Sequence, residues 1–228
     1  MKIVGLQKVT LIDYPGHIAA SVFLGGCNLD CGFCHNRWMI REEAVAAALS
    51  VEELLAWLET RVGRLGGVCL SGGEPTLHAE VVDLARRIKG LGYELKLDTN
   101  GLLPGRLAAL LSAGLLDYVA VDLKAPLNPV SYERITRRKV DLAALRLSMN
   151  LLREGDVAYE FRTTVCPGLA EADLRAIARE LLPGERWYLQ PFVPAETVDP
   201  AVRGERALTE EELSHLATEL GAALRSAA

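Results

Sequence analysis

Residues 93–124, YELKLDTNGLLPGRLAALLSAGLLDYVAVDLK, carry the pattern that decides the fold. Apolar and polar residues alternate over 93–98, as in a half-buried strand, and an apolar run over 118–123 is typical of a buried strand. The stretch 106–112 between them has helical spacing and ends at Ala113-Gly114. A strand–helix–strand unit of this length predicts two parallel strands joined by a right-handed crossover.

The same unit recurs about six times along the chain. Strands are predicted at 18–24, 67–70, 93–98, 118–123, 159–165 and 187–189, and helices at 51–62, 79–91, 106–112, 142–154, 172–182 and 209–224. This alternation predicts an α/β fold, a parallel sheet with outer helices. An open doubly wound sheet and a partial barrel both fit the pattern, and in both the site lies at the carboxyl ends of the strands.

Composition sets the class of protein. The chain has 228 residues, half of them hydrophobic, which suits one domain with a large core and excludes global disorder. A net charge of −5 argues against general affinity for nucleic acid. No apolar run approaches the roughly 20 residues of a membrane span, and no secretory leader is visible, so the expected location is cytoplasmic.

We expect a single domain over residues 1–228, because no linker or low-complexity tract interrupts the pattern. Within it, residues 1–17 form an N-terminal extension before the first predicted strand. The core covers 18 to about 193, and a helical tail covers about 194 to 228.

Three of the five cysteines lie within eight residues, in the segment GCNLDCGFCHN at 26–36. In a reducing compartment, an odd cysteine count with such clustering favours a metal or redox site over disulfides. Cys27, Cys31 and Cys34 could bind three irons of a [4Fe–4S] cluster and leave the fourth open. A zinc site that adds His35 or a distant cysteine is the alternative. Cys69 and Cys166 are expected to be buried core thiols.

Reactive or charged side chains follow, or end, six predicted strands. Because the carboxyl ends of parallel strands meet at one edge, we expect these side chains to share one site. They are Cys27, Glu74, Asp98, Asp122, Arg162 and Gln190.

At these motifs the sequence resembles the radical S-adenosylmethionine (SAM) enzymes. The resemblance rests on CxxxCxxC with Phe33 before the last cysteine, SGGEP at 71–75, KLDTNG at 96–101 and AVDLK at 120–124. The string Cys34-His35-Asn36 is similar to that of the glycyl-radical-enzyme activases. The opening GLQKVTLIDYPG, at 5–16, resembles the branch that activates anaerobic ribonucleoside-triphosphate reductase.

The resemblance implies a partial (β/α)6 TIM-like barrel and a radical SAM oxidoreductase. Its [4Fe–4S] cluster, on Cys27, Cys31 and Cys34, would cleave SAM to a deoxyadenosyl radical. That radical would take hydrogen from a glycine of a glycyl radical enzyme, with anaerobic ribonucleotide reductase the expected partner. Two remaining cysteines cannot hold a second cluster, so the electron would come from flavodoxin or ferredoxin. The alternatives are radical SAM chemistry on a small molecule or RNA base, and a non-enzymatic zinc-binding module.

The resemblance also implies a set of SAM contacts. Glu74 would accept the SAM ammonium, Asp122 would bind the amino group or a monovalent cation near Asp98, and Lys124 would bind the carboxylate. Arg162 would bind the SAM carboxylate or pair with Asp122. The full set is Phe33 at the adenine, Asn36 beside the cluster or ligand, Gly72 and Gly73 for close backbone approach, Glu74, Asp98, Thr99, Asp122, Lys124, Arg162, and Gln190 in place of the histidine of pyruvate formate-lyase activase.

Overall fold

The computed structural model describes residues 1–40, 46–196 and 198–225. Its centre is an eight-stranded sheet in which the strands lie side by side in chain order. The strands are β1 (Ile3–Thr10), β2 (Ala19–Leu24), β3 (Gly67–Gly72), β4 (Glu94–Thr99), β5 (Tyr118–Asp122), β6 (Ala158–Val165), β7 (Trp187–Pro191) and β8 (Ala223–Leu224). Strands β2 to β8 are parallel, and β1 is antiparallel to β2. In the described ranges β1 and β8 do not pair, so the barrel stays open.

Helices follow most of the strands and cover the outer face of the sheet. They are α1 (Val51–Glu59), α2 (Val81–Gly90), α3 (Pro104–Ser112), α4 (Pro129–Thr136), α5 (Leu142–Glu154), α6 (Glu171–Ala178), α7 (Pro200–Arg203) and α8 (Glu210–Leu220). Ser50 caps α1 and Thr209 caps α8, each with a glutamate three residues on that completes a capping box. No helix in the described part of the chain is long and apolar enough to cross a membrane.

Side-chain alternation divides the sheet into two faces. Val22, Leu70, Leu97 and Val119 are fully buried in one apolar cluster with helix residues such as Leu84. The next residues along the strands point to the concave side, where β4, β5 and β6 bring charged side chains together. The polar site is therefore built on rigid strands.

The predicted fold class is confirmed, and all six predicted strands are present. Strands β1 and β8 and helices α4 and α7 were not predicted as elements. Strand β1 lies at the edge of the sheet, so its residues 7–9 are exposed and the chain lacks a simple apolar pattern there. The final helix was predicted to reach residue 224, which is wrong. Gly221 adopts a left-handed φ of +67° and ends the helix at Leu220, after which the chain forms β8.

Candidate active site at the carboxyl ends of the strands

A cavity opens at the carboxyl ends of β2 to β6. It contains the three clustered cysteines and every predicted SAM contact except Gln190. The residues that line it are Cys27, Leu29, Cys31, Phe33, Cys34, His35, Asn36, Ile40, Ser71, Gly72, Gly73, Glu74, Asp98, Thr99, Asn100, Asp122, Lys124, Arg162 and Thr164. Gln190, on β7, pairs in register with Thr164 of β6, which is one of the lining residues.

The cysteine loop, residues 26–36, is held by backbone hydrogen bonds at its start and in its middle. The amides of Gly26 and Cys27 donate to the carbonyls of Met39 and Ile40, at 2.7 and 3.0 Å. The amide of Asp30 donates to the carbonyl of Thr136 at the end of α4, at 3.0 Å. The loop is therefore shaped by the chain itself.

The three loop thiols form a donor set that fits an iron–sulfur cluster. Burial raises the pKa of Cys27 and of Cys31 to about 12 and also raises that of Cys34, while the Lys124 ammonium lowers all three. Metal binding favours the thiolate form of such groups. Among the described residues, no group of three His, Cys, Asp or Glu side chains is close enough together to hold a single metal ion.

Gly72 and Gly73 bring the next loop against the cysteine loop. A Cβ on Gly73 would lie 2.0 Å from the Gly26 carbonyl oxygen, and one on Gly72 would lie 2.4 Å from the Leu24 nitrogen. The amide of Glu74 donates to the Gly26 carbonyl at 2.8 Å. The structure shows a close backbone approach between two segments of the chain. The predicted approach of these glycines to a ligand stays a prediction.

Glu74 is a fully enclosed carboxylate that joins its own loop to the loop after β4. It accepts hydrogen bonds from the Thr76 amide at 3.0 Å, the Thr99 hydroxyl at 2.8 Å and the Asn100 amide at 2.7 Å, and from the Thr76 hydroxyl. The Asn100 side chain in turn donates to Asn28 in the cysteine loop at 2.7 Å. Burial raises the pKa of Glu74, although these hydrogen bonds lower it. Its predicted contact with the SAM ammonium stays a prediction.

The floor of the cavity is charged. Arg162 lies between two aspartates, with Nε 2.9 Å from Asp122 and Nη1 3.3 Å from Asp98. Asp98 also accepts from Ser71 Oγ at 3.1 Å and contacts the ammonium of Lys96. Although burial raises the pKa of Asp98, Arg162 and Lys96 bring it down to about 2. Pairing of Arg162 with Asp122 was one of two alternatives, and the structure shows it.

Lys124 connects the floor to the cysteine loop. Its Nζ lies 3.1 Å from Asp122 and 5.8 Å from the centre of the Phe33 ring. Burial lowers the pKa of Lys124, but the Asp122 carboxylate more than offsets this and raises it. Lys124 is therefore a permanent cation in the wall of the cavity.

Contacts from distant segments cover the outer side of the cysteine loop, and sequence reasoning missed them. The Asp199 amide donates to the Gly32 carbonyl at 3.1 Å, and the Asp199 carboxylate pairs with Arg137 at 2.5 Å. Arg37 Nη2 lies 3.0 Å from Asp30. No local pattern marks Arg137 or Asp199, because they lie more than 100 residues from the loop they hold. Cys69 and Cys166 are buried, as predicted for core thiols.

Residues 21–181 match the profile of the Radical SAM superfamily. The chain belongs to the radical SAM superfamily. A protein of Methanocaldococcus jannaschii named "Putative glycyl-radical enzyme activating enzyme" is 30% identical over 93% of this chain and 88% of its own length. A "Probable GTP 3′,8-cyclase" of Methanothermobacter thermautotrophicus is 38% identical over 50% of this chain, but only 37% of its own length is matched.

Solved structures share the fold of this radical SAM chain. The crystal structure of Streptococcus suis SuiB bound to S-adenosylmethionine superposes with a TM-score of 0.68 at 12% identity, over 91% of this chain and 51% of that one. The structure of TYW1 with a lysine-pyruvate adduct superposes with a TM-score of 0.63 at 17% identity. The predicted family is confirmed. Membership in this superfamily implies a [4Fe–4S] cluster and SAM.

Proposed function

We propose that this radical SAM protein is the activating enzyme of a glycyl radical enzyme. The observation that carries the proposal is the archaeal relative, whose name states that activity and whose match extends over nearly the whole of both chains. The opening motif at 5–16 supports anaerobic ribonucleoside-triphosphate reductase as the partner. Naming this partner goes further than membership in the radical SAM superfamily.

In this proposal Cys27, Cys31 and Cys34 hold the cluster, and one iron is left for SAM. The cluster, when bound, would supply the electron that cleaves SAM to methionine and a deoxyadenosyl radical, and this radical would take a hydrogen atom from the partner's glycine to give 5′-deoxyadenosine. The protein's own residues fix the loop and exclude water. Glu74 and Asn100 hold the cysteine loop in place, and Phe33, only 8% exposed, covers one wall of the cavity.

The charged floor suits a zwitterionic ligand. Lys124 and Arg162 offer donors to a carboxylate, and Asp98 and Asp122 keep lone pairs that can accept from an ammonium. Asn36 and Thr99 line the cavity within reach of the rest of the ligand, and Gln190 lies one strand beyond. A monovalent cation would have to bind beside Arg162, whose guanidinium already bridges the two aspartates.

The test is activation of a partner. The reconstituted protein is mixed anaerobically with SAM, a reduced flavodoxin or ferredoxin, and each glycyl radical enzyme encoded in the same genome. We expect the doublet signal of a glycyl radical in electron paramagnetic resonance with one of them, and no signal with the Cys31→Ser variant. If no glycyl radical forms with any of these partners while SAM is cleaved, the activase proposal is wrong.

Radical chemistry on a small molecule is the second candidate, and the partial match to a GTP cyclase supports it. The two candidates differ in what stimulates SAM cleavage. Deoxyadenosine formed in proportion to added GTP, without any protein partner, would select the second candidate. Deoxyadenosine formed only with a glycyl radical enzyme would select the first.

A further inference from the structure

Lys96 is a lysine buried inside the barrel, below the cavity and outside its lining. Its side chain has no exposed surface, and its ammonium contacts the Asp98 carboxylate. The ammonium also lies 3.8 Å from the Cys69 sulfur. Because an apolar side chain of the same length would fill this volume without the cost of burying a charge, the ammonium calls for a separate explanation.

Lys96 is one end of a charged row that crosses three strands. The row is Lys96, Asp98, Arg162, Asp122 and Lys124, in which cations and anions alternate. Each aspartate lies between two cations. With three cations and two anions, the row has a surplus of one positive charge.

The two ends of the row differ in their surroundings. Lys124 lines the cavity beside the cysteine loop, whereas Lys96 is enclosed at the opposite end. Lys96 and Asp98 both lie on β4, where side-chain alternation places them on one face. Lys124 lies two residues beyond Asp122, the last residue of β5, and folds back to contact it. Lys124 can therefore touch a ligand, and Lys96 can act only through Asp98.

The position of Arg162 depends on this arrangement. Its guanidinium is shared between Asp98 at 3.3 Å and Asp122 at 2.9 Å. Without the Lys96 ammonium, Asp98 would keep only Ser71 and Arg162 as donors, and its attraction would draw Arg162 away from Asp122. Both groups would then leave the positions they hold at the floor.

We propose that Lys96 is a positioning residue for SAM binding, which fixes Asp98 and Arg162 in their places without touching SAM. This inference rests on the proposed function only in that SAM binds in this cavity. It assigns a role to Lys96 of the KLDTNG segment, which is not one of the predicted SAM contacts.

The test is a double-mutant cycle on SAM affinity, measured by equilibrium binding to the anaerobically reconstituted protein. We expect Lys96→Met and Asp98→Asn each to weaken SAM binding about tenfold, because each change disturbs the charged floor. The two effects should not multiply, because charged groups in contact are strongly coupled. In the double variant, Lys96→Met should add less than about twofold to the effect of Asp98→Asn, since its only route is Asp98. Lys96→Gln keeps a donor at this position and should bind SAM more tightly than Lys96→Met.

The matched control is Lys89→Met, which removes a lysine–aspartate pair outside the cavity, at 2.6 Å from Asp117. It should bind SAM as the wild type does. Wild-type affinity in Lys96→Met, or single effects that multiply to about a hundredfold in the double variant, would overturn the proposal. Equal losses in Lys96→Gln and Lys96→Met would also overturn it. A wild-type protein that binds no SAM would instead overturn the proposed function on which it rests.

Discussion

Glu74 and Asp98 are two carboxylates of one cavity, at the ends of neighbouring strands, but their partners carry different charges. Glu74 is buried, whereas the Asp98 side chain is 15% exposed. Glu74 accepts only from neutral amides and hydroxyls, and burial raises its pKa. Asp98 contacts Lys96 and Arg162, which bring its pKa down to about 2 against the effect of burial. One carboxylate therefore holds loops together, and the other presents a fixed charge.

Glu74 and Asp98 have different roles, which their sequence motifs alone do not distinguish. Both residues were predicted as SAM contacts, because both follow a strand and both belong to a known motif. Their partners show that Glu74 stabilises the cysteine loop through Asn100 and Asn28, whereas Asp98 belongs to the charged floor. Changes at Glu74 should therefore affect folding first, and changes on the floor should affect ligand affinity first.

The largest expected effect is at Glu74. Glu74→Ala leaves two amides and two hydroxyls without their acceptor, and should lower the free energy of unfolding by about 3–4 kcal/mol. Glu74→Gln keeps an acceptor for Thr76 but turns an amide group toward the Asn100 amide, and should cost about 1–2 kcal/mol. Urea unfolding of the protein without its cluster measures both. Equal stability of Glu74→Ala and wild type would contradict the role given to Glu74.

A smaller effect is expected at Gly73, where an added Cβ must displace the Gly26 carbonyl. Gly73→Ala should cost about 2 kcal/mol of unfolding free energy and reduce the iron retained after reconstitution. The matched control is Gly90→Ala in α2, where a Cβ would meet no atom within 4 Å. It should change stability by less than about 1 kcal/mol. Full iron retention in Gly73→Ala would show that the two loops do not depend on each other.

The smallest effect is a difference in pH dependence. The folded pKa of Asp98 lies below its ordinary value of 3.8, so its contribution to stability is present above that pH and is lost as the pH falls toward about 2. The stability gap between wild type and Asp98→Asn should therefore shrink between about pH 5 and about pH 2.5. Urea unfolding across that range measures the gap. A gap that grows on acidification would contradict the low pKa.

Much of the fold could be predicted because the core strands carry either an apolar run, as in β3 and β5, or an alternating pattern, as in β4, with glycine or proline near their ends. The edge strand β1 was missed because its exposed residues hide the strand pattern. The early end of α8 was missed although Gly221 is a local stop signal for a helix. The site was predicted for the same reason as the sheet, since parallel strands end at one edge. The hydrogen bonds that Glu74 accepts from Thr76, Thr99 and Asn100 could not be predicted, because residue spacing does not reveal tertiary hydrogen bonds.

The most direct test of a cluster-bearing cavity with a charged floor is the reaction of SAM with the anaerobically reconstituted, reduced protein. We predict about four iron and four sulfide ions per chain. We also predict a change in the electron paramagnetic resonance signal of the reduced protein when SAM is added, followed by release of 5′-deoxyadenosine. The Cys27→Ser, Cys31→Ser and Cys34→Ser variants should show none of these. Zinc without iron or sulfide in the wild type, or SAM cleavage retained in all three variants, would contradict the account.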